Sequence, residues 1–224
     1  MICQHLIDAK AQLNAITLTS NWIGDDGAIA FAKLIKTMEH KTGEELVVHI
    51  DFSGIGHDGA VAFSDPEVLK HITVLSLSLN DIRDEAAVRL ANGIAFIDGG
   101  RLQHLDLDMC NIQDDGATAL ANMLHSNSTM QTLQLSSNQI GDKGAEALAS
   151  ALKVNQSLVK IELFRNNEIT RQGGEELYCA FPFNPSLQTI GLKYDIIPEE
   201  YLDCPTSETG NYIRDNFAIA SEHG

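Results

Sequence analysis

The side chains in this sequence that could do chemistry are few, and two pairs stand out among them. His49 and Asp51 lie two residues apart, as do Asp106 and Asp108, and Glu162 is a further acid in a similar apolar setting. Residues i and i+2 of a strand share one face, so each pair could ligate a cation or act as acid and base. If the strands that carry the pairs have one other strand between them, ~10 Å separates the pairs, too far for one ion. Acid-base work also needs a pocket that excludes water. Asp106 and Asp108 are accordingly expected to be solvated. Cys3, Cys110, Cys179 and Cys204 lie far apart, with no CxxC pair and no histidine at metal-ligand spacing. The serines and histidines form no nucleophile elbow, and the glycines form no phosphate-binding loop. We therefore expect no catalytic residue, no cofactor and no metal.

The elements that would position these residues follow from an internal repeat. Residues 130–152 read MQTLQLSSNQIGDKGAEALASAL, and this frame recurs around Asn21, Ser53, Asn80, Cys110, Asn138, Asn166 and Asp195, spaced by 32, 27, 30, 28, 28 and 29 residues. A period of 20–50 residues signals a solenoid. Ahead of each anchor an apolar pair alternates with polar residues, as in Leu75 and Leu77 or Leu133 and Leu135, which predicts a short half-buried strand. Behind it come an isoleucine, a small residue and a helix. In the fifth repeat Asp142 reads as the N-cap, and Ala145, Leu148, Ala149 and Leu152 form one apolar stripe. One strand-helix unit cannot bury its own apolar side, whereas stacked units share a core. The anchor side chain should turn inward and satisfy backbone groups of neighbouring coils, giving Cys110 a structural role.

The frame LxLxxNxIxxxGAxxLAxxL, at residues 133–152 and again at 105–124 with Cys110 in the Asn place, resembles the ribonuclease-inhibitor type of leucine-rich repeat. The resemblance covers residues 13–197. It implies an α/β solenoid, a horseshoe of about seven repeats with a parallel concave sheet and convex helices, and a cytoplasmic protein that binds another protein on its concave face. One domain spans residues 1–224, with an N-terminal cap at 1–12 and a C-terminal cap at 198–224, where residues 211–220 read as a helix. Met1 and that closing segment suggest a complete chain. Pro66 should shorten or break the second helix, and Pro182 and Pro185 should close the sixth.

In this frame the residues four, two and one before each anchor face outward or lie at the rim, and the fold does not require their identities. Phe52, Leu79 and Met109 hold the rim place in three consecutive repeats and should form an apolar ridge ~10 Å long. His49, Asp51, Asp106, Asp108 and Glu162 border it, with Phe164 and Arg165 toward the C-terminal end. An apolar centre edged by charge is how protein interfaces are built, so these ten residues are the candidate partner-binding set. Half-burial of the rim residues against neighbouring coils is the alternative.

Composition narrows the choice of partner, with acidity that merely keeps a long, exposed solenoid soluble as the alternative to a recruiting role. Fifteen Lys and Arg face 31 Asp and Glu, a formal charge of -16 that speaks against nucleic acid and anionic membrane, so a partner steered by charge is basic. Residues 1–10 lack the apolar run of a secretory signal, and no stretch reaches the ~18 apolar residues of a membrane span. The Asn-x-Ser/Thr triplets at Asn127 and Asn155 are read as chance. The chain is thus expected to be a monomeric, non-catalytic interaction scaffold. Two narrower readings are a regulator of a small GTPase, since proteins of similar repeat type include such activators, and a bacterial effector delivered into host cytosol.

Overall fold

Alternating apolar residues at seven places produce seven three-residue strands: β1 (Ala15–Thr17), β2 (Val47–His49), β3 (Val74–Ser76), β4 (His104–Asp106), β5 (Thr132–Gln134), β6 (Lys160–Glu162) and β7 (Thr189–Gly191). The computed structural model describes Cys3, Leu6 and residues 13–38, 45–97 and 100–192. Among these the strands form one parallel sheet in chain order. The register is the one the repeat predicts: Ile16, Val48, Leu75, Leu105, Leu133, Ile161 and Ile190 are successive partners. Their side chains are buried, as are Ile50, Leu77, Leu107, Leu135, Leu163 and Leu192 two residues on.

The opposite layer is α1 (Gly24–Lys36), α2 (His57–Ala62), α3 (Pro66–Leu69), α4 (Arg83–Phe96), α5 (Asp114–Ser126), α6 (Asp142–Leu152) and α7 (Arg171–Ala180), which runs into a 3-10 turn at Phe181–Phe183. Helices are ~10 Å wide and strands ~4.8 Å apart, so stacking the two in step puts the sheet on the inside of a curve. Ala145, Leu148, Ala149 and Leu152 are fully buried, as their spacing predicts. Pro66 does split the second helix: α2 stops at Ala62, and Asp65 caps α3 by accepting from the Glu67 amide at 2.9 Å. The resulting backbone corner crowds α4, where a Cβ on Gly93 would lie 2.0 Å from the Ser64 carbonyl oxygen. Gly93 is thus required inside a helix by the neighbour's proline. The two terminal caps, apart from Cys3 and Leu6, the helix expected at 211–220, the seventh anchor Asp195, and Lys193 and Tyr194 lie outside the described residues.

Two side-chain ladders lock the coils together. At the anchor, Asn80 accepts from the Ser53 and Ile55 amides and donates to the Ile50 and Leu77 carbonyls. Asn138 does the same for Cys110, Ile112, Leu107 and Leu135. Ser53 and Cys110 supply the donor half, to Leu18 and Leu77, and burial pushes the Cys110 thiol far up. Asn21, in the first repeat, is exposed and donates to the Thr19 carbonyl. The second ladder corrects the capping expectation. Gly141 is the N-cap of α6, and Asp142 is the first helical residue. The Asp142 carboxylate reaches forward, accepting from the amides of Thr170 (2.8 Å) and Gly173 (3.0 Å) at the start of α7. Asp114 likewise serves Gly141 and Gly144, Asp84 serves Gln113, and Asp25 serves Gly56.

The two glycosylation-like triplets are not chance. Asn127, Asn155 and Asn184 occupy the same turn ahead of successive strands, each accepting from the amides two and three residues on. Asn155 and Asn184 also donate to the carbonyls of the preceding coil at Leu124 and Leu152. Ser157 and Ser186 complete the turn, so the triplet recurs because the turn does.

Candidate functional site

The rim owes its geometry to a change of backbone hand. Along each strand, residues four and two before the anchor point outward, so the next should point into the core. Instead Ser20, Phe52, Leu79, Met109, Ser137 and Arg165 take φ of 63°, 47°, 59°, 54°, 57° and 58°. That left-handed residue turns the chain, sending the anchor inward and leaving its own side chain at the rim. For residues bearing a Cβ it costs about 1–2 kcal/mol. The amides of Phe52, Leu79 and Met109 are bonded to the next coil, to the carbonyls of Ser78, Asp108 and Ser136, all at 2.9 Å.

The rim side chains are therefore open to solvent. Phe52 is 46% exposed, Leu79 44% and Met109 50%, so each rests partly on its neighbours and leaves about half its surface to solvent. Trp22, which the repeat frame alone does not single out, extends the ridge by one coil: it is 72% exposed and meets Phe52 edge-on, ring centres 5.6 Å apart. Gly54 makes room for it, since a Cβ there would stand 3.0 Å from the indole. The signal was present in the chain, a tryptophan right after one anchor and a glycine in the same place of the next repeat. Beside the ridge runs a polar row in which Arg83 pairs with Asp81, Asn111 donates to Asp81 and Gln139 donates to Asn111.

The inner-face acids are less free than expected. Asp51 accepts from the hydroxyls of Ser76, Ser78 and Thr19 and from the Ser78 amide, and His49 Nδ1 lies 3.9 Å from it. Ser76 also stands 3.2 Å from Asp106, so one buried hydroxyl links the two acid pairs. Asp106 accepts from the Asp108 amide, and Asp108 from the Ser136 amide at 2.6 Å. Both are half-buried, not solvated. Burial, then the neighbouring Asp106 charge, pushes the Asp108 carboxyl up to about 6, and burial likewise raises Asp106. The set divides along the sheet: His49, Asp51, Phe52, Leu79, Asp106, Asp108 and Met109 come together. Glu162, Phe164 and Arg165 sit two coils further on. Glu162 pairs with Lys160 at 2.6 Å and, with the half-buried Phe164, lies over Gly191, where a Cβ would clash with both. Arg165 is exposed.

These features define a repeat protein of stacked strand-helix coils with apolar side chains partly exposed along one rim. Residues 13–32, 68–91, 102–121 and 126–149 match the family model described as Leucine Rich repeat. With seven coils in register, the chain is a leucine-rich-repeat protein, a fold of interaction scaffolds. No curated protein matches the chain in sequence. Similar solved structures include leiomodin-1 actin-binding site 2, 22% identical with a TM-score of 0.55, over 72% of this chain and 87% of that one. The tropomodulin C-terminal domain of Caenorhabditis elegans is 14% identical with a TM-score of 0.53, over 72% and 90%. A structure of the yeast Rad7 and Elc1 complex matches at 16% identity and a TM-score of 0.56, over 84% of this chain and 43% of that chain. At these identities the likeness is one of fold.

Proposed function

We propose that the protein is a non-catalytic scaffold that holds a basic partner protein on its inner sheet face and rim. One observation carries the reading. The left-handed rim position accepts serine in the first and fifth coils, yet three consecutive coils place Phe52, Leu79 and Met109 there, exposed to water. Large apolar groups that leave about half their surface in water are the anchors expected of an interface. The formal charge of -16 favours a basic partner over nucleic acid or an anionic membrane. The ribonuclease-inhibitor subtype is supported by the long helices α4, α5 and α6 in coils of 28–30 residues. Cys110 and Cys179 are free thiols, which suits the cytoplasm, whether the cell's own or a host's. The names of the similar structures, an actin-binding site and a complex with Elc1, support protein binding as the general role.

The test is capture from eukaryotic lysate with the wild-type chain and a Phe52→Ser, Leu79→Ser, Met109→Ser triple variant, retained proteins being identified by mass spectrometry. Serine is native to this position at Ser20 and Ser137, so the variant keeps its fold. A protein held by the first and released by the second is expected. Equal retention, or none, overturns the reading. A retained small GTPase would select the regulatory version, and a retained host protein with no endogenous counterpart would select the effector.

A further inference from the structure

Trp22, Phe52, Leu79 and Met109 stand in consecutive coils at the strand-to-helix rim, all exposed. Their spacing restricts what can lie on them. Coils repeat every ~4.8 Å across the sheet, so Phe52 to Met109 spans ~10 Å. An α-helix lying across the strands repeats its apolar stripe once per ~5.4 Å turn, and residues i and i+7 are ~10.5 Å apart. An extended segment repeats one face every ~6.8 Å and would slip out of step by almost one coil over the same three positions. Charge restricts it further. Asp51, Asp106 and Asp108 line the sheet side of the ridge, while on the loop side Asp81 is already paired with Arg83, so the acidic edge is the sheet side. The chain's own C-terminal residues 198–224 carry six acids and one arginine, and a second copy carries -16 again, so neither suits an acid-edged ridge.

Resting on the protein-binding reading above, we propose that this rim seats a basic amphipathic helix of the partner, its apolar stripe meeting one rim side chain per coil. Lysines or arginines on the sheet side of the stripe would face Asp51, Asp106 and Asp108, so the complex weakens as salt rises. Trp22 is the only tryptophan in the chain and reports on the site directly.

The test titrates the full chain with three tryptophan-free synthetic peptides of equal length, following Trp22 emission. The first has leucine at i, i+4, i+7 and i+11 among lysines, the second is the same composition scrambled to remove the stripe, and the third keeps the stripe among glutamates. Expected is a saturable blue shift with the first, at least tenfold weaker binding of the other two, and a similar loss in a Leu79→Ser chain. Equal binding of the scrambled peptide, an unmoved Trp22, or indifference to Leu79→Ser overturns the proposal. If lysate capture still finds a rim-dependent partner in that case, the helix fails alone and the protein-binding reading stands. If capture is indifferent to the rim triple, both fall.

Discussion

Ser76 shows how much of the inner face turns on single atoms. Its hydroxyl has one proton to donate and two carboxylates in reach, Asp51 and Asp106. Asp106 and Asp108 are then crowded, half-buried and pushed upward in pKa. A carboxyl whose folded pKa lies above its unfolded value destabilises the fold when ionised, and the penalty fades as pH falls from about 6 toward the unfolded value. Asp108→Asn keeps an oxygen for the Ser136 amide and removes the charge. We expect a gain of roughly 1 kcal/mol at pH 7.5, allowing for screening of a half-exposed group, or a Tm higher by about 2–4 °C. The gain should vanish at pH 4. Thermal melts of the two chains at both pH values check this, and an equal gain at both would show that charge is not the cause.

At the scale of elements, the unit of stability is the joint between coils. An aspartate at the start of one helix caps the next, and a small residue in that next helix makes space for it. A Cβ on Gly59, Gly116, Gly144 or Gly173 would lie 2.6, 2.7, 2.9 or 2.5 Å from the oxygen of Asp25, Asp84, Asp114 or Asp142. Where the second coil has His57 in the aspartate's place, the third has Ala86, not glycine. Burial draws the Asp142 carboxyl up, but the bonds from Thr170 and Gly173 together outweigh it and hold it below the ordinary range. Its contribution is therefore present above pH ~4 and is lost below. Asp142→Ala should cost about 1–2 kcal/mol and Gly173→Ala about 1–3 kcal/mol. In the double variant the added methyl meets no carboxylate, so its total should fall short of the sum by at least ~0.5 kcal/mol. Urea unfolding of the four chains measures this, and strict additivity would refute the joint.

For the whole molecule, the dominant long-range force is self-repulsion. Thirty-one acids face 15 bases, so most carboxylates have no cationic partner. Among the described residues, ion pairs such as Lys36 with Asp65 and Arg171 with Glu175 lie at the surface and contribute little. Screening should then help more than it harms. Tm at pH 7 should climb by several degrees between ~20 mM and ~500 mM NaCl, as the Debye length shrinks from above 20 Å to below 5 Å. A falling Tm would show that the surface pairs outweigh the repulsion.

Although Asn21 stays exposed against expectation, the period, the strand register, the inward anchors from Ser53 to Asn166, the Pro66 break and the apolar helix stripes were legible in the residues alone. Each depends on alternation or spacing along one coil, and a repeat prints that pattern several times over. What one coil does to the next was not legible. The forward reach of Asp142, the demand of the Ser64 corner for Gly93, and the turn ladder of Asn127, Asn155 and Asn184 join residues roughly 28–32 positions apart. The outward character of Phe52, Leu79 and Met109 was partly legible. Their place in the frame was clear, but only the left-handed backbone at that place decides that they face water. The half-burial of Asp106 and Asp108 likewise comes from hydroxyls and amides of adjoining coils, since local sequence sets the direction of a side chain while stacking sets how much water reaches it.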